Sequence, residues 1–309
     1  MPLVSIITPC YNGAAFVERT VQSVRAQSFG DWEHVVVDDG SNDTSAATVS
    51  ALCDIEPRLR LIRQENRGVA AARNAGYRAA QPTSKYVLFL DADDCLAPHM
   101  LAILTKYLDL HACVGTVYGG HRLIGADEQM LPPNPWLSRR YVPTATWLRQ
   151  LGADEPATPF ESVFVFAGLF PSLALIRRSV YNQTPGWDER FGRPHEDTEF
   201  FLHIAIRSPI HYIPEPLVMY RQHASQATAK FPYGSNDIQE RKLRAKWAEN
   251  RGLTARQRST VARAIRFREG ILVPYHRIRI ATENLRRGEM FLAATCFVSA
   301  IWRYCAWLL

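Results

Sequence analysis

The sequence predicts an α/β protein built on a mostly parallel sheet, and three observations predict it. Apolar runs of strand length alternate with helical patterns through the first third of the chain. One of these runs, residues 86–90, is apolar at every position, as expected of a strand covered on both faces. Short clusters of turn-forming or acidic residues follow the runs, where a strand would hand over to a helix.

Residues 4–8 form a β-branched run closed by Pro9. Asn12-Gly13 then supplies turn chemistry, and Phe16, Val17, Val21 and Val24 mark one helical face. Residues 33–37 run into Asp38-Asp39-Gly40-Ser41, after which Asp43-Thr44-Ser45 offers capping side chains to a helix that continues toward Cys53. Residues 59–63 are a third strand, 68–80 an alanine-rich helix and 86–90 the fourth strand. Beyond Pro98, prolines at 132, 133, 135, 143, 156 and 159 break up the chain ahead of an apolar run at 163–169, predicting a loop-rich portion.

With 47% apolar and 21% charged residues, the composition is that of an ordinary globular protein, without internal repeats. Six cysteines lie far apart with no Cys-x-x-Cys pair, which argues against a zinc knuckle or a disulfide framework and for a reducing cytoplasm. The first residues read as a strand rather than a signal segment. The net charge of +6 is concentrated between Arg241 and Arg287. There basic residues alternate with Leu, Ala, Val and Ile in helical fashion, predicting solvated faces near anionic lipid at the inner face of a membrane, and no nucleic-acid partner. Residues 290–309 are almost all apolar, yet Thr295, Ser299 and Arg303 recur every fourth residue. That stripe predicts a helix packed on its neighbours with one side wet. An interfacial membrane helix or a homo-oligomeric contact is the competing use of the same surface.

Open α/β sheets bind ligands beyond the carboxyl ends of their strands, which directs attention to residues 9–12, 38–41, 65–67 and 91–94. Asp91-Ala92-Asp93-Asp94 follows the fourth strand. Strand alternation would put Asp91 and Asp93 on one side, where two carboxylates repel unless a cation joins them. Oxygen ligands favour Mg2+ or Mn2+, ions that keep substrate phosphate oxygens in their shell. An isolated Asp-x-Asp equally suits a solvated acidic turn or a helix cap. What strengthens it is Asp39 at a neighbouring strand end, able to accept a hydrogen bond from a uracil imide, and Arg73, whose planar fork suits phosphate or base oxygens. Taken singly, the same two residues also fit an Asx turn and a surface ion pair.

Four segments together resemble the family 2 inverting glycosyltransferases of GT-A fold: Val4-Ser5-Ile6-Ile7-Thr8-Pro9-Cys10-Tyr11-Asn12, Val37-Asp38-Asp39-Gly40-Ser41, Glu65-Asn66-Arg67-Gly68 through Ala72-Arg73-Asn74-Ala75-Gly76, and Leu88-Phe89-Leu90-Asp91-Ala92-Asp93-Asp94. The resemblance covers residues 1 to about 225. It implies that Pro9 and Tyr11 line the base pocket, Asp39 binds uracil, Arg73 the nucleotide, Asp91 the ribose side and Asp93 the metal, with Asp94 toward the acceptor. His195-Glu196-Asp197-Thr198 resembles the family's Glu-Asp motif, which makes Asp197 the candidate general base and Glu196 its alternate. Read alone, the same acids suit an ordinary helix start. The family often has Asp-Leu after that motif, where this chain has Glu199-Phe200. Tyr220-Arg221-Gln222-His223 resembles a further element that brings His223 near the metal and diphosphate.

On this resemblance residues 1–105 are the nucleotide-sugar-binding half of a GT-A domain, 106–228 the acceptor-binding half, and 229–309 a basic, amphipathic helical region. The expected reaction moves a sugar from a nucleoside diphosphate, uridine diphosphate first, to a hydroxyl of a glycan or lipid-linked acceptor in polysaccharide synthesis. Two rivals remain at this point: a descendant that binds nucleotide sugar without transfer, and a phosphatase of haloacid-dehalogenase type, which also places Asp-x-Asp after a strand.

Overall fold

The computed structural model describes residues 1–133, 157–158, 160, 163, 169–191, 195–226, 237–250, 252–267, 273–286, 288 and 290–308. Most of the expected loop-rich portion, with Arg251, Arg268 and Arg287, lies outside these residues, as does the side chain of Arg303.

Strands β1 (Val4–Cys10), β2 (Trp32–Asp38), β3 (Leu59–Arg63) and β4 (Tyr86–Phe89) alternate with helices α1 (Val17–Arg25), α2 (Ser45–Cys53) and α3 (Val69–Ala79). The four strands lie in the order β3-β2-β1-β4, all parallel. The sheet continues through β8 (Ala174–Arg177), β6 (Thr116–Gly125), β9 (Ile210–Gln222) and β5 (Cys95–Leu96), with β7 (Ala157–Thr158) pairing on β9. Strand β8 is antiparallel to both its neighbours, whereas the long β6–β9 ladder is parallel. Helix α4 (Met100–Leu110) spans the boundary expected at residue 105, and strands from both sides of it share one sheet.

The sequence explains the packing. Residues Val17, Val21 and Val24 of α1 are buried, one stripe of a helix laid against the sheet. Tyr86, Val87, Leu88 and Phe89 are all buried, so β4 is covered on both faces as its composition requires. Helix α3 approaches β1 and β2 closely because position 76 is glycine. A Cβ there would lie 2.4 Å from Ile7 Cγ2 and 3.0 Å from Val37 Cγ2. This close seat brings Arg73 and Asn74 of α3 to the ends of the strands.

Helices α5 (Arg178–Tyr181) and α6 (Glu196–Ala205) flank the sheet. Of the C-terminal helices, α7 (Asp237–Ala248) and α8 (Ala255–Phe267) share the main core through Leu243, Trp247, Val261 and Ala264, joined by Leu253 between them. The Trp247 ring meets Phe160 and His203, with centroids 5.5 and 4.9 Å away. Helices α9 (Val273–Arg286) and α10 (Met290–Leu308) pack on each other, and none of their described residues belongs to a core cluster. No helix among the described residues is long and apolar enough to cross a membrane.

Candidate active site

The ends of β1 and β2 are tied together by their loops. Asn12 N donates to Ser41 Oγ (2.9 Å) and Asn42 N to Asn12 Oδ1 (2.9 Å), while Asp39 N reaches Cys10 O (2.8 Å). Asn12 adopts a left-handed conformation (φ 51°), which asparagine tolerates better than most residues. Gly40 also has positive φ (75°), and a Cβ there would sit 2.8 Å from Asn66 N, so the turn after β2 requires glycine. Pro9 is buried at the end of β1, and Tyr11 stands exposed on the loop beyond it.

Asp39 is nearly enclosed. Its carboxylate accepts from Gln64 Nε2 (2.7 Å), Arg67 N (3.0 Å) and Gly68 N (2.8 Å), binding the β2 turn to the start of α3. These contacts use three of the roughly four acceptor positions a carboxylate offers.

The Asp-x-Asp segment differs from the strand-alternation expectation. Strand β4 stops at Phe89 and the chain turns, so Asp91 and Asp93 answer to different partners. Asp91 accepts from Arg73 Nη2 at 2.7 Å, and that guanidinium, buried in the protein, supplies the compensating charge. Asp93 Oδ2 lies 3.1 Å from His223 Nε2, whose ring also meets Phe16 with centroids 4.4 Å apart. The antiparallel β5–β9 pairing, Cys95 opposite Met219, accounts for this: the ends beyond the ladder bring the turn before β5 to the residues after β9.

Asp94, expected toward the acceptor, is fully buried beneath the turn. Ser172 Oγ donates to its Oδ2 (2.6 Å) and Arg221 N to its Oδ1 (3.2 Å). Burial, then the neighbouring charges of Asp93 and Asp91, push its carboxyl well above the usual range. Ser172 also accepts from Asp91 N (3.1 Å), and the buried Arg221 donates through Nε to Asp93 O (2.9 Å). Ser172 and Arg221 therefore brace the acidic turn from below; Arg221 belongs to the Tyr220–His223 element, whereas no local sequence signal marks Ser172.

Arg73 connects this turn to the second acidic cluster. Its Nη1 is 3.5 Å from Glu196 Oε1 at the start of α6, and its guanidinium lies over the Trp187 ring, 4.3 Å from the centroid. Trp187 in turn stacks on Phe200 of α6 (4.1 Å), and Asn74 bonds to both N and O of Trp187. Glu196 is buried, whereas Asp197 is half-buried and accepts from Thr198 N (2.6 Å). Thus Asp91 and Glu196 share Arg73, and their neighbours Asp93 and Asp197 are carried on the two segments it joins.

Helix α7 supports α6 from behind. Lys246 Nζ donates to Glu199, which is fully buried, and to Asp188 Oδ2 at 2.8 Å. His203 Nε2 is 2.7 Å from the same Glu199 carboxylate. Hydrogen bonding to Arg190, aided by Lys246, holds the Asp188 carboxyl well below its usual range. His211 Nδ1 lies 2.8 Å from Tyr107 Oη, away from the acidic turn.

A model of glycosyl transferase family 2 matches residues 5–184. The chain belongs to that family. A glycosyltransferase named EpsJ from Bacillus subtilis (strain 168) is 37% identical over 118 residues, 37% of this chain and 34% of that protein. Chondroitin synthase of Pasteurella multocida (strain Pm70) is 32% identical over 148 residues, 47% of this chain and 15% of that protein. The matched segments thus span half or less of these curated relatives. Among solved structures, S. aureus TarS 1-349 in complex with UDP-GlcNAc superposes with TM-score 0.64 at 17% identity, covering 97% of this chain and 81% of that one. The mannosyltransferase PcManGT of Pyrobaculum calidifontis, in complex with GDP-Man and Mn2+, gives TM-score 0.60 at 19% identity, covering 98% and 87%. The architecture is the GT-A fold of glycosyltransferases, and family membership removes the phosphatase alternative.

Proposed function

We propose that this family 2 enzyme is an inverting, metal-dependent transferase that moves a sugar from a nucleoside diphosphate to a hydroxyl acceptor in polysaccharide synthesis, at the cytoplasmic side. The observation that carries the reading is Arg73, which binds Asp91 on the acidic turn and Glu196 at the start of α6. Donor-side and acceptor-side chemistry would meet across it. The bound UDP-GlcNAc of TarS and GDP-Man of PcManGT support a nucleotide-sugar donor, with uridine diphosphate as first choice.

Pro9 and Tyr11 would form the walls for the base, and the remaining acceptor position of Asp39 would take the base imide proton. Asp91 would face the ribose, with Arg73 hydrogen-bonded to its carboxylate from below to hold it in place. For a divalent cation the donor set suits magnesium or manganese: Asp93 and His223 lie side by side, and no group of three or more His, Cys, Asp or Glu suited to an ion exists among the described residues. Such ions bind through few protein ligands and complete their shell with phosphate oxygens. A cation held there would act as a Lewis acid for the departing diphosphate.

Asp197 would accept the proton of the acceptor hydroxyl as that oxygen attacks the anomeric carbon. A single displacement needs one base and no covalent intermediate, so the configuration inverts. Asp94, enclosed with Ser172 and Arg221, would position the turn rather than touch acceptor.

The test is a panel of nucleotide sugars offered with Mn2+ and, separately, with simple glycan acceptors, reading nucleoside diphosphate release and product anomer by NMR. Release that depends on the donor, with an inverted product, is expected. Donor binding without release in the presence of every acceptor would favour a binding protein, and a retained anomeric configuration would refute the single displacement.

A further inference from the structure

Among its described side chains the hairpin of α9 and α10 is built inside out for a helix pair in water. The buried ones are Ala281, Ala293 and Ala300. The described large apolar ones are exposed: Met290 is 70% exposed, Val298 67%, Ile301 57% and Leu292 53%, with Phe297, Ile278 and Leu285 also in the open. Met290, Phe297, Val298 and Ile301 follow the spacing i, i+7, i+8, i+11, so they form one continuous face of α10. Small residues let two helices approach closely, as in helix pairs whose outer surface meets lipid. Arg277 donates to Ser299 Oγ across the pair, so the polar position at 299 is consumed within the hairpin.

We infer that this hairpin docks in the plane of an anionic lipid surface, with the Met290–Phe297–Val298–Ile301 face of α10 sunk among the acyl chains. Charge decides between lipid and a second copy of the chain. Residues 273–308 contain five arginines and two glutamates, with Arg286 exposed beside Leu285 at the end of α9. Two copies facing each other would oppose like charges, whereas anionic headgroups are complementary to them. Docking in the plane rather than across the bilayer follows from helix length and composition, since no described helix qualifies as a span. The inference stands apart from the transferase reading, because vesicle binding needs neither donor nor metal.

The test uses the full chain with vesicles of phosphatidylcholine alone and of phosphatidylcholine mixed with phosphatidylglycerol. Co-sedimentation with the anionic vesicles at low salt, and little with the neutral ones, is expected. Val298→Asp combined with Ile301→Asp should weaken binding at least about tenfold, because two apolar anchors become charged. Arg286→Glu should weaken it at least about fivefold and leave the far-ultraviolet circular dichroism and thermal midpoint unchanged. The inference is overturned if the parent chain stays in the supernatant with anionic vesicles, or if the double variant sediments as the parent does. It is equally overturned if light scattering finds a dimer that the double variant converts to monomer, since a second copy would then cover the face.

Discussion

Two regions of the molecule depart from the ordinary partition of residues, in opposite directions. At the strand ends the protein buries charge: Arg73, Asp94, Glu196 and Arg221 are all enclosed. In the α9–α10 hairpin it leaves large apolar side chains in the open. Buried polar groups and exposed apolar faces are the informative exceptions to hydrophobic burial. The first region is satisfied from within, each charge meeting a partner in the fold. The second is satisfied by nothing within the described chain. The contrast separates a site that must be held rigid from a surface whose partner is external.

Substitutions should expose this contrast, and the largest effect belongs to the chemistry. Asp197→Asn should lower transfer by about 10²–10⁴-fold, the usual contribution of a positioned base, with the thermal midpoint unchanged. Loss of activity together with the midpoint would instead mark Asp197 as a structural cap. Next comes the brace behind α6. Lys246→Met leaves the buried Glu199 without its lysine and should cost about 3 kcal/mol in urea unfolding, with Lys246→Arg recovering most of it. Equal stability of the methionine variant would show that α7 does not secure α6.

A smaller effect is a pH dependence located in the sheet. Burial pushes the His34 imidazole down from 6.5 to about 3, so the folded state disfavours its protonation. The stability this contributes is complete above pH 6.5 and is lost as pH falls toward about 3, amounting to about 2 kcal/mol by pH 5. Thermal midpoints of His34→Gln should therefore decline less than those of the parent over that window, and parallel declines would contradict the assignment. Smallest of all is Val298→Asp on the hairpin, which should change stability by less than about 0.5 kcal/mol, as expected for an exposed position. A large loss would mean that the α10 face is packed within the protein.

Much of the first region was legible in the sequence for a physical reason. Strands covered on both faces must be apolar throughout, so β4 announces itself, and the acids beyond a strand end mark where a ligand can reach. Chain reversals were harder. Alternation placed Asp91 and Asp93 on one side, but β4 ends at Phe89 and the turn sends one carboxylate to Arg73 and the other to His223. The same turn buries Asp94, which no local pattern forecasts. Ser172 and Lys246 come from segments distant in sequence, and a pairwise ion or hydrogen bond leaves no periodic signature. In α10 the stripe of Thr295, Ser299 and Arg303 predicted one wet side on a helix packed against its neighbours. Thr295 is exposed in keeping with that, whereas Ser299 is turned to Arg277 of α9, and the buried side chains described in the hairpin are alanines.

Metal dependence tests the central claim most directly. The chain, stripped with chelator and titrated with Mn2+, should release nucleoside diphosphate from its donor only as the ion is restored, and Asp93→Asn should require far more Mn2+ for half-maximal rate while folding normally. Equal rates in chelator and in Mn2+, or an unchanged Mn2+ requirement in the Asp93→Asn protein, would contradict a reaction organised around the pairing of Asp93 with His223.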